Sequence, residues 1–167
     1  MKFISVFILC FIISCSNEKK PIDSYKTIDY KDLNLFVSDS LPLLLDLDKN
    51  YNDIFNLWKD ISLINSVKNI SLSDPRQLNI NLSALKNDII KINDVNIPSA
   101  LNHPQIIGRF RVLKTDILKI DADNLSIENL SIFKNHLIDI TDSYNAFVNT
   151  MNLEVSKDKS VRKLWYM

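Results

Sequence analysis

The sequence predicts an all-α fold, an antiparallel up-down four-helix bundle, and three observations carry that prediction. Gly108 is the single glycine among 167 residues, where ordinary usage is about 7%. Hairpin turns, β-bulges and phosphate-cradling loops lean on glycine for positive φ. A P-loop, a dinucleotide fingerprint and a G-x-S-x-G elbow are therefore excluded, and a turn-rich β fold is disfavoured. Second, apolar residues recur at spacings of three and four along four segments, the period of a helix with one buried face. Third, the breaks between those segments are short and polar, which favours antiparallel neighbours. The formal net charge is zero, so nothing argues for nucleic acid as a partner.

The elements follow in order. Leu33-Asn34-Leu35-Phe36 suggests a short extra helix ahead of the bundle. The first long helix is expected from Ser40, read as N-cap, with Pro42 in its first turn. Its stripe is Leu44, Leu47, Tyr51, Ile54, Trp58 and Ile61. The second follows Asp74-Pro75, a capping residue and then proline, and carries Leu78, Leu82, Leu85, Ile89 and Ile92. The third starts at Pro104 and carries Ile106, Phe110, Leu113, Ile117 and Ile120. The fourth carries Leu130, Phe133, Leu137, Ile140, Tyr144, Phe147 and Met151.

Residues 81–92, NLSALKNDIIKI, match residues 129–140, NLSIFKNHLIDI, at seven of twelve positions. This suggests two related helical hairpins, helices one-two and three-four. The suggestion requires the two hairpins to superpose with those positions equivalent. A shared heptad pattern would produce the same likeness without duplication.

The N-terminus carries an address. Lys2 precedes an apolar run from Phe3 to Ile13, too short to span a bilayer and of signal-peptide length. It ends in Ile12-Ile13-Ser14-Cys15. This resembles the lipobox of bacterial lipoproteins, with a branched apolar residue, a small residue and then the obligatory cysteine. The resemblance covers residues 1–15 alone. It implies cleavage before Cys15 and lipidation of its thiol, with two or three chains giving stable membrane anchoring. Cys10 would leave with the signal peptide, so the mature chain would have no free thiol, disulfide or cysteine metal ligand. In the enterobacterial lipoproteins an Asp after the cysteine favours inner-membrane retention. Ser16 departs from it, which implies the outer membrane. The expected organisation is a signal peptide over 1–14, the lipidated cysteine and a flexible tether over 15–30, and a helical domain over 31–167. Such a tether has an r.m.s. span of roughly 20 Å.

Chemistry-bearing patterns are sparse. Asp46-x-Asp48-x-Asn50 opens like a calcium loop, but Tyr51 stands where that loop needs glycine and Leu57 where it needs glutamate. His136, Asp139 and Asp142 share a side of the fourth helix without the Glu-x-x-His pattern of a bundle metal site. No metal, cofactor or catalytic residue is assigned. Gly108 sits inside the third helix beside Arg109 and Arg111. Close helix packing explains the glycine, and the two arginines suggest a small anion or carboxylate contact. The C-terminus turns basic and then aromatic, with Trp165 and Tyr166 as candidates for a partner contact or for closing the bundle's end.

The expected function is therefore non-enzymatic: a lipid-anchored envelope protein whose helical domain binds or scaffolds a protein partner. The alternative is a bundle that holds a small ligand between its helices. A ligand binder should have a cavity along the seam near Arg109 and Arg111, and a scaffold a filled core with exposed apolar surface.

Overall fold

Among the described residues, helices are the regular structure and no strand occurs. The computed structural model describes residues 28–165, apart from residues 73, 75 and 124. Cys15, the signal peptide and all but the end of the tether lie outside the described residues, as does Tyr166. The fold is all-α, as the glycine count and the apolar spacing predict.

The short leading helix is present as α1 (Tyr30–Asp39). Asp29 caps it by accepting from the N–H of Lys31 at 2.9 Å, and Leu33 and Val37 are its buried face.

The first long helix is not formed as expected. Ser40 caps the C-terminus of α1, donating its N–H to Phe36. Residues 42–48 lie in neither helix nor strand, and Asp48, its backbone in the extended region, caps a single 3₁₀ turn, Lys49–Tyr51. Two short helices follow, α2 (Asn52–Phe55) and α3 (Ile61–Asn65). Tight bonds three residues apart bend the chain between them, with Trp58 donating to Phe55 and Ile61 donating to Trp58. A 3₁₀ turn, Ser66–Lys68, leads into α4 (Asn69–Leu72). The apolar stripe is buried only in part: Trp58 and Ile61 are in the core, Leu44, Leu47, Tyr51 and Ile54 are half-buried against it, and Phe55, outside the stripe, is buried. Side chains alone do not dictate which backbone presents them, and tertiary contacts override a weak helical preference here.

The other three long helices match their stripes. They are α5 (Leu78–Lys91), α6 (Pro104–Lys119) and α7 (Leu130–Trp165). Asp74 caps a turn ahead of α5, accepting from Arg76 at 2.9 Å. Pro104 opens α6, where its missing N–H is harmless. Leu82, Leu85, Ile89, Ile106, Phe110, Leu113, Ile117, Leu137, Ile140, Tyr144, Phe147 and Met151 are all buried. At 36 residues, α7 is about 54 Å long.

α5 and α6 are antiparallel. Ser83 bonds Asp123, Lys86 bonds Ile120, Lys114 bonds Ile92 and Arg111 bonds Asp94. α6 and α7 are antiparallel too, with Phe110 against Phe147 at one level and Lys119 feeling the charge of Asp139 at another. The proposed duplication of hairpins does not follow. Short broken helices precede α5, whereas one 16-residue helix precedes α7. Leu85, Ile89 and Ile92 do match Phe133, Leu137 and Ile140 in being buried.

Trp58 is the centre of the core. Its ring meets Phe110 edge-on at 5.5 Å and Phe147 at 6.1 Å. Its indole Nε1 is buried without a hydrogen-bond partner. Leaving such a donor unpaired costs about 1–3 kcal/mol, so the packing around it outweighs that penalty.

Candidate functional site

The most specialised geometry lies along one flank of α7, where the chain from α1 to Asp48 runs beside it in the same direction. Three polar residues of α7 hold that chain. Lys134 reaches back to Asp32 at 2.6 Å and lies 5.1 Å from the centre of the Phe36 ring. Asn145 donates Nδ2 to the carbonyl of Leu43 at 2.9 Å and accepts the N–H of Leu45 at 2.8 Å. Asn152 repeats this one step on. It donates to the carbonyl of Asp46 at 3.0 Å and accepts the N–H of Asp48 at 2.8 Å.

The spacing follows from two helical rises. Asn145 and Asn152 are seven residues apart, two turns of α-helix or about 10.5 Å. The gripped groups advance by three residues, about 9–10 Å of extended chain. One face of α7 and one extended segment are therefore commensurate. Leu41, Leu44 and Leu47, also three apart, turn inward and pack against the core. Leu43 is 89% exposed and Leu45 is 42% exposed. A repeat of three fits a polyproline-II-like chain, which has three residues per turn and no internal hydrogen bonds. Asp48, with φ −66° and ψ 117°, is close to that conformation.

Asp46 pairs with Lys68, and that bond and charge hold its carboxyl below the usual carboxylate range. Asp48 is engaged as the cap of the 3₁₀ turn, accepting from Asn50 at 2.9 Å. The Asp46-x-Asp48-x-Asn50 run is thus a structural element. Burial raises the hydroxyl of Tyr144, with the charge of Asp46 adding to it.

The residues singled out in the sequence behave differently. Gly108 is exposed on α6, and a Cβ built there would meet nothing within 4 Å. The close packing expected at Gly108 is absent. Arg109 and Arg111 do not converge, because residues two apart on a helix point to different sides. Arg111 turns to Asp94 at 2.6 Å. Arg109 lines a shallow groove of about 410 Å³ between α6 and α7, with Asp139, Asp142 and Lys119. His136 faces a separate small pocket with Asp121 and Phe133. Among the described residues no three His, Cys, Asp or Glu side chains are placed to hold a metal ion. Trp165 ends α7, but its side chain lies outside the described residues.

The clamp formed by Asn145 and Asn152 lies off the apolar stripes. Its signals are Asn145 and Asn152 at one flank of the fourth seam, and Leu41, Leu44 and Leu47 around Pro42. The chain matches no protein-family model, no curated protein and no solved structure.

Proposed function

We propose that this chain is a lipid-anchored protein of the bacterial envelope, outer membrane by its Ser16, whose non-enzymatic helical domain binds or scaffolds a protein partner. The observation that carries the reading is the Leu43–Leu45 segment. It lies outside any helix, bears exposed leucines and is held by the Asn145 side chain of α7. Apolar surface kept ordered and outward is the usual mark of a partner surface. The filled aromatic core around Trp58 supports a scaffold over a binder of ligands within the seam. The helical domain is a modified bundle, with α5, α6 and α7 as three walls and α1 to α4 as the fourth.

The anchor and the partner are tested separately. Cys15→Ala should leave unprocessed, unlipidated precursor, and normal processing of that variant would refute the lipobox. Sucrose-gradient fractionation then distinguishes outer from inner membrane. For the partner, a photo-crosslinking residue replaces Leu43 in intact envelopes. A reproducible adduct of defined mass is expected, and its absence at Leu43 and Leu45 alike would overturn partner binding by this segment.

A further inference from the structure

We infer that the flank of α7 bearing Asn145 and Asn152 is a peptide-binding site, with residues 41–48 as its tethered occupant. The ligand class is an extended peptide with leucine at every third position. The inference stands on the contacts of this segment and holds whether or not Cys15 carries lipid.

Four observations converge. Each of the two carboxamides takes the carbonyl of one residue and the N–H of the residue two further on. Such bonds read main chain and accept any side chain, which is how extended peptides are gripped in recognition grooves. The two asparagines repeat in step with the ligand, so the grip is a ladder and not an isolated contact. Selectivity comes from side chains: Leu41, Leu44 and Leu47 enter the body, while Lys68 meets the acidic residue before the third leucine. The pattern read is thus L-x-x-L-x-D-L.

The occupant is also held as a ligand is held. Among the described residues, the segment from Leu41 through Leu47 makes no main-chain bond to other main chain. Its three inward leucines are half-buried, whereas Val37 before it and Phe55 after it are buried. Its grip is therefore separable from the body, and a second peptide of the same pattern fits the vacated place. A peptide presenting such a segment would exchange with residues 41–48 at this site.

The test uses the full-length chain in detergent and a fluorescent peptide of sequence SLPLLLDLDKN, residues 40–50. Leu44→Asp with Leu47→Asp in the protein vacates the site. This released chain should bind the peptide saturably. Adding Asn145→Ala should weaken binding about thirtyfold, from two lost hydrogen bonds. A peptide carrying Asp in place of the second and third inward leucines should not bind. A released chain that keeps its circular dichroism and binds no peptide overturns the proposal, as does binding indifferent to Asn145→Ala. If the released chain fails to fold, hydrogen exchange on the unaltered protein decides. The amides of Leu45 and Asp48 should exchange at least about a hundredfold faster than that of Leu137, through local opening. Exchange of all three only by global unfolding overturns the proposal.

Discussion

Lys86 and Lys114 cap each other's helices. Lys86 of α5 donates to the carbonyl of Ile120, the C-cap of α6, at 2.6 Å, and Lys114 of α6 donates to that of Ile92, the C-cap of α5, at 2.7 Å. Each lysine stands six residues ahead of its own C-cap. The local sequences explain why, since residues 85–92 read LKNDIIKI and residues 113–120 read LKTDILKI. The α5–α6 pair therefore has approximate two-fold symmetry, and a cation at each carboxyl end also meets the helix dipole favourably.

The symmetry makes the two lysines energetically equivalent. Lys86→Met and Lys114→Met should each destabilise the domain by about 1.5–3 kcal/mol, the worth of a charged hydrogen bond. The double variant should be close to the sum, because the two contacts share no partner. Urea unfolding measures all three, and a large difference between the single variants would reject the equivalence.

At the clamp, the chemistry of the carboxamide sets an order of effects. Asn145→Ala should cost about 1–2 kcal/mol through two lost bonds. Asn145→Asp should cost more, because a carboxylate then faces the carbonyl of Leu43 and two acceptors cannot pair. Thermal denaturation of the two variants above pH 6 checks the order, which a simple loss of volume would reverse.

Trp58 carries an unpaired indole N–H inside an aromatic cluster. Trp58→Phe removes that penalty while keeping a ring, and should stay within about 1 kcal/mol of the parent. Trp58→Ala should cost about 3–5 kcal/mol through the cavity it leaves. Equal losses for the two variants, read by denaturant midpoint, would show that the N–H is not a burden.

Gly108 has open space where a Cβ would go, and no glycine among the described residues has positive φ. Gly108→Ala should therefore stabilise α6 by about 0.5–1 kcal/mol, from helix propensity and a less mobile unfolded chain. A calorimetric melt that falls instead of rising would contradict the open surface.

Asp46 supplies a pH dependence of known sign. Its carboxyl is held below its ordinary value of 3.8 by the hydrogen bond and charge of Lys68. A lowered folded-state pKa means stability that is present above the unfolded value and lost as pH falls through the folded one. The loss belongs below about pH 4. Asp46→Asn should shrink that part of the acid limb in a stability-against-pH titration, while the exposed ion pair contributes little near neutrality.

How much of this was legible follows from where each signal resides. The stripes of α5, α6 and α7 were readable because a 3.6-residue period is local, and the buried residues of those helices are the ones it names. Residues 40–61 were not. Leu44 and Leu47 are three apart, a spacing shared by a helix face and by an extended chain with three residues per turn. Only Asn145 and Asn152, a hundred residues further along, choose the extended form by supplying the bonds a helix would have made internally. Arg109 and Arg111 look like one site in sequence, but a helix turns them toward different neighbours. By itself, then, the sequence determined the helical class, three helices and their buried faces, because those depend on near neighbours. The tertiary structure decided the clamp, the reciprocal lysines and the path of residues 40–72, because each depends on partners that only folding brings together.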